Sequence, residues 1–159
     1  MLTNRVGDFN MLARMDISKV LVPIVGNGVD RDVVRLACEL AEENDASVYA
    51  VYVIEVERSL PLDAAQEQKT VKAEEILAHA EQMALEDGYH IDTGILQARE
   101  AGPALVNEAK EGNVDLIVLG VGYKKRLGVF NIGDTTSYVL KEAPCGVVLY
   151  RAAVHEGTQ

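Results

Sequence analysis

Residues 115–151 read D-L-I-V-L-G-V-G-Y-K-K-R-L-G-V-F-N-I-G-D-T-T-S-Y-V-L-K-E-A-P-C-G-V-V-L-Y-R. The apolar run 116–119 has the length and composition of a buried strand, and Gly120 closes it. A glycine-rich loop carrying Lys124, Lys125 and Arg126 follows. Gly133 and Asp134 then open a short helix over 135–141. Pro144 precedes a second apolar strand over 147–150, with Val147 and Tyr150 at its ends. A strand, a glycine loop and a helix N-terminus in this order form a place where backbone N–H groups can hold an anion.

Upstream, strands and helices alternate. The run 19–25, K-V-L-V-P-I-V, is a strand closed by Gly26-Asn27-Gly28. Asp30 is placed to cap the next helix, in which Val33, Val34, Ala37, Leu40 and Ala41 recur at helical spacing. Residues 47–54, rich in Val and Tyr, form a second strand ending near Val53. A connection over 55–63 leads to a long helix over 64–86, with Ala73, Ile76, Leu77, Ala80 and Ala84 on one stripe and Gly88 beyond its end. A third strand spans 90–96. Gly102-Pro103 opens a further helix that turns Leu105, Val106 and Ala109 inward. Five strands alternating with helices, several of them nearly all apolar, imply a doubly wound five-stranded parallel α/β sheet with helices on both faces. Ligands of such sheets bind at the carboxyl ends of the strands, at the switch point. Here that point is flanked by the carboxyl ends of the first and fourth strands, Ile24-Val25-Gly26 and Leu119-Gly120-Val121.

The 159 residues suit one domain, expected over 17–151, between an N-terminal extension (1–16) and a polar tail (152–159). A net charge of −10 argues against nucleic acid and anionic membranes as partners, but leaves room for a small nucleotide in a locally basic pocket. No apolar run is long enough to span a bilayer. The first 15 residues lack the apolar core of a secretory signal. Cys38 and Cys145 make neither a disulfide framework nor a metal pattern, and a cytoplasmic protein is expected. His79, His90 and His155 are scattered, so no metal ligation is expected. No Ser-His-Asp set, carboxylate pair or Walker lysine is present, so no catalytic residue is assigned.

From about Lys19 to Arg151 the chain resembles the universal stress protein family. The resemblance is carried by K-V-L-V-P-I-V-G-N, D-L-I-V-L-G, the glycine loop and Y-V-L-K-E-A-P-C-G-V-V-L-Y. It implies the sheet order 3-2-1-4-5 and a homodimer formed by pairing of the last strands, 147–150. Many members of the family bind ATP through a loop of pattern G-x2-G-x9-G-[ST]. Set on that pattern, Gly120 and Gly133 fall in place. Tyr123 takes the second glycine position, with Gly122 one residue earlier, and Asp134 takes the Ser/Thr position, with Thr135 and Thr136 next. Val25 stands where ATP-binding members carry Asp, and Val53 matches the position beside the adenine.

The resemblance thus implies a crevice built from Pro23, Ile24, Val25, Val53, Leu119, Gly120, Gly122, Tyr123, Gly133, Asp134 and Thr135, with three binding positions altered. Asp134 reads as the N-cap of its helix, a place from which its carboxylate also repels phosphate. Val25 reads as a buried strand end that removes a hydrogen-bond acceptor. Tyr123 either fills the space of a phosphate or points to solvent. Lys124, Lys125 and Arg126 either hold phosphate or form a solvated loop tip. The expected function is a regulatory or binding protein, not an enzyme, whose crevice binds ATP weakly or not at all, with an unidentified protein partner or another small ligand. The alternative is a working ATP or AMP binder using Gly120, Gly122, Gly133 and Thr135. A slow nucleotide hydrolase ranks last.

Overall fold

The computed structural model describes residues 16–123, 125–126 and 129–154, without the side chains of 125, 126 and 129. Its strands are β1 (Lys19–Pro23), β2 (Ser47–Glu55), β3 (Asp92–Ala98), β4 (Leu116–Val121), β5 (Lys125–Arg126), β6 (Val129–Phe130) and β7 (Gly146–Arg151). Its helices are α1 (Val29–Asn44), α2 (Glu67–Glu86), α3 (Ala101–Glu111) and α4 (Asp134–Glu142). The main sheet has five strands in the order β3-β2-β1-β4-β7, all pairs parallel. This is the expected 3-2-1-4-5 arrangement, with β7 as the fifth strand.

Strands that read as continuous apolar runs do so because both faces of the sheet are covered. In β1, Val20 and Val22 enter one core with Val33, Val34, Ala37 and Cys38 of α1 and Leu77, Ala80 and Met83 of α2. Leu21, between them, enters the opposite core with Leu105 and Ala109 of α3 and Val139 of α4. The same alternation divides β4, where Leu116 and Val118 face the first core and Ile117 and Leu119 the second. Period-two geometry therefore sorts one apolar run into two cores.

Three local readings are corrected. The third strand begins at Asp92 and ends at Ala98, two residues later than the periodicity suggested, where its register against Tyr49 to Glu55 begins and ends. The long helix starts at Glu67. The loop after β4 holds a small antiparallel ribbon, Lys125 opposite Phe130 and Arg126 opposite Val129, which the basic composition concealed. The proposed extension and tail lie largely outside the described residues.

Candidate nucleotide crevice

The sheet order reverses between β1 and β4, and a crevice opens at their carboxyl ends. A cavity of about 270 Å³ there is lined by Pro23, Ile24 and Val25 after β1, and by Val51, Tyr52, Val53 and Glu55 of β2. Leu119 and Gly120 of β4, Ala101 and Leu105 of α3, and Thr135 and Thr136 of α4 complete its wall. An adjoining cavity of about 320 Å³ shares Glu55, Ala101 and Thr135 with the first and adds Glu100, Gly102, Pro103, Asp134 and Tyr138. Together they reach the size range of small-molecule sites, roughly 300–1,000 Å³.

Seven of the residues singled out in the sequence, Pro23, Ile24, Val25, Val53, Leu119, Gly120 and Thr135, line the first cavity, and Asp134 lines the second. Gly122, Tyr123 and Gly133 line neither. Tyr123 instead stacks on Phe130, with ring centroids 5.3 Å apart and planes 10° from parallel, and the Arg151 guanidinium lies 5.1 Å from the centre of its ring. The aromatic side chain thus ties the ribbon to the end of β7. Lys124 lies outside the described residues, and the side chains of Lys125 and Arg126 are not described.

Two caps proposed from the sequence are not made. Gly133, with φ 84°, is the N-cap of α4; Asp134 is its first residue, is exposed, and makes no side-chain cap bond. The turn before the helix is closed by Asn131, whose Oδ1 accepts the Gly133 N–H at 2.7 Å. An acidic group in a first helical turn is still favoured by the helix dipole. At α1 the N-cap is Gly28, and Asn27 Oδ1 accepts the Val29 N–H at 3.0 Å. Asp30 is buried, and its carboxylate turns back to accept the N–H of Val25 at 3.1 Å and of Gly26 at 2.7 Å. Burial raises its pKa; the N–H groups of Val25, Gly26 and Asn27 and the nearby His79 act in the opposite direction.

Val25 is no buried strand end: it is 54% exposed at the lip of the crevice. Gly120 carries a packing constraint. A Cβ there would stand 2.5 Å from Val33 Cγ1 and 3.1 Å from both Val29 methyls, so its absent side chain is what lets α1 close on β4.

Glu55, Tyr52, Ala101 and Glu100 were not singled out in the sequence, and Leu105 was read there only as a core residue. Glu55 carried a signal, since it lies two residues beyond Val53 and therefore on the same face of β2. The α3 residues carried none, because only the packing of α3 over the β2 end brings its first turn to the site. Among the described residues no group of three or more His, Cys, Asp and Glu is placed to hold a metal, and no helix is long and apolar enough to cross a membrane.

The model of the universal stress protein family matches residues 16–151. A universal stress protein of Methanocaldococcus jannaschii is 30% identical over 139 residues, 84% of this chain and 81% of that one. The structure of a universal stress protein from Archaeoglobus fulgidus superposes with a TM-score of 0.72 at 20% identity, covering 83% of this chain and 97% of the other. A structure from the same organism in complex with dAMP gives 0.69 at 20% identity, covering 85% and 98%. The two structural likenesses speak for the fold, and the family match extends over both flanks of the crevice. The chain belongs to the universal stress protein family.

Proposed function

We propose that this protein is a regulatory binding protein whose crevice takes an adenine nucleoside or nucleotide and binds ATP weakly or not at all. The observation that carries this reading is the convergence of Pro23, Ile24, Val25, Val53, Leu119, Gly120 and Thr135 on one apolar-floored cavity at the switch point. The dAMP complex of the Archaeoglobus relative supports an adenine compound as its occupant. Against ATP stand Val25, whose side chain offers no acceptor to a sugar, and the acidic Asp134, which lines the adjoining cavity. A carboxylate within a few ångströms of a triphosphate costs on the order of 1–4 kcal/mol, depending on local screening.

The alternative, a competent ATP or AMP binder, draws support from Gly122 and Gly133, where the space beside each Cα is open, and from Thr135, which lines both cavities. Calorimetry with ATP, ADP and AMP separates the two: micromolar ATP affinity would overturn the first reading. No residue among those lining the crevice is assigned as a general base, so hydrolysis is not proposed. We further propose a cytoplasmic homodimer paired through β7, whose outer edge carries Leu149, 36% exposed. An unidentified protein would read the occupied state.

A further inference from the structure

We infer that the crevice selects an uncharged nucleoside over its phosphates, and that Glu55 and Glu100, together with Asp134, set that preference. The inference rests on the adenine-site reading above and names the class of ligand.

Two helix N-termini, those of α3 at Ala101 and of α4 at Asp134, meet at the 320 Å³ cavity. A helix N-terminus is ordinarily where an anionic ligand is welcome. At each of these the protein supplies its own anion. Glu100 holds the N-cap position of α3 with extended backbone and no cap bond from its side chain. Asp134 is the first residue of α4. Glu55, at the end of β2, lines both cavities. Among the described side chains, which exclude those of Lys124, Lys125 and Arg126, no lysine or arginine lines either one. The positive ends of both helices are thus offset from within, and a phosphate placed in the 320 Å³ cavity lies among three solvent-exposed carboxylates.

The 270 Å³ cavity has the opposite character. Ile24, Val51, Val53, Leu105 and Leu119 give it apolar walls, while Thr135 and Thr136 offer hydroxyl groups. That combination suits a flat base and neutral sugar hydroxyls, for which Glu55 is an acceptor.

The test is calorimetry on the full chain with adenosine, AMP and ATP, at about 20 mM and about 500 mM salt. Adenosine should bind at least about tenfold more tightly than AMP, and AMP more tightly than ATP, with both ratios shrinking at high salt. The measured ratio includes whatever the 124–129 segment contributes. Glu55→Gln and Glu100→Gln should each narrow the adenosine-to-AMP ratio by several-fold. AMP binding as tightly as adenosine to the native chain would overturn the inference while leaving the adenine-site reading intact. So would an adenosine-to-AMP ratio that neither variant changes, since the ratio already normalises any loss of adenosine affinity when Glu55 is altered. Failure of all three compounds to bind the native chain would remove both.

Discussion

The carboxylate of Asp30 accepts the backbone N–H of Gly26 at 2.7 Å, pinning the turn that ends β1 to the first turn of α1. The same carboxylate holds the N–H of Val25, so one buried side chain fixes the lip of the candidate crevice. On the far side of the turn, Gly26, Asp30, Ile76 and His79 line a separate cavity of about 500 Å³. Gly26 has φ 88°, in the left-handed region, and a Cβ there would come within 2.8 Å of Ile76 Cδ1.

Asp30→Ala should therefore destabilise the fold by about 1–3 kcal/mol, since two N–H groups lose their acceptor. Burial raises the Asp30 pKa above its unfolded value. A raised folded value means that its titration favours the fold most below the ordinary carboxylate range. That contribution is lost as pH rises through the folded value. Urea unfolding between about pH 3.5 and pH 7 should show the native chain losing stability relative to Asp30→Asn as pH rises. A difference independent of pH would contradict the assignment.

Gly120→Ala should cost about 1–3 kcal/mol through overpacking, because the new methyl meets Val33 and Val29 across the α1–β4 contact. Denaturant titration gives the number. A neutral substitution would show that α1 can retreat from the sheet without penalty.

Asp134→Ser should raise ATP affinity by roughly one to three decades if its charge is what opposes the phosphates. The side chain makes no cap bond, so the stability of α4 should change little. Unchanged ATP binding, with the fold intact by circular dichroism, would move the obstruction to Val25 or to Glu55 and Glu100.

Leu149→Lys should convert the proposed dimer to monomer, as lysine on an exposed edge strand opposes pairing between chains. Sedimentation velocity on native and variant chains decides this. A dimer that survives the substitution would place the interface elsewhere than the β7 edge.

Cys38 should resist thiol reagents at pH 8 until the protein unfolds. It is 1% exposed, and burial, reinforced by Asp87 and Glu39, pushes its pKa up to about 11. Labelling of Cys38 itself, distinguished from the half-buried Cys145 by peptide mapping, at the rate of a free thiol in the native chain would contradict the packing of α1.

The fold was legible in the chain because its signals are local. The apolar runs at 19–25 and 116–119, the helical spacing of Val33, Val34, Ala37 and Ala41, and the glycine punctuation each reflect one element's own geometry. Element ends were less legible. The start of β3 at Asp92 depends on its pairing with Tyr49, a partner more than forty residues away. Asp30 and Asp134 both look like helix caps in sequence, since aspartate before an apolar helix is the commonest sign of one. Which N–H groups Asp30 meets depends on how the turn at Gly26 folds back.

Period and spacing encode the five parallel strands and the expected crevice flanks, Ile24-Val25-Gly26 and Leu119-Gly120-Val121, without reference to distant contacts, while the resemblance to the family rests on the motifs at 19–27 and 115–151. Tertiary structure alone decided the character of that crevice. It carried Tyr123 away to stack on Phe130 and Arg151, and exposed Val25 at the lip. It also brought Glu55 from β2 and Glu100 from the edge of α3 beside Asp134. Residues that share a cavity while lying 34 to 79 positions apart have no common periodicity to reveal them. Their proximity comes from the packing of helices against the sheet.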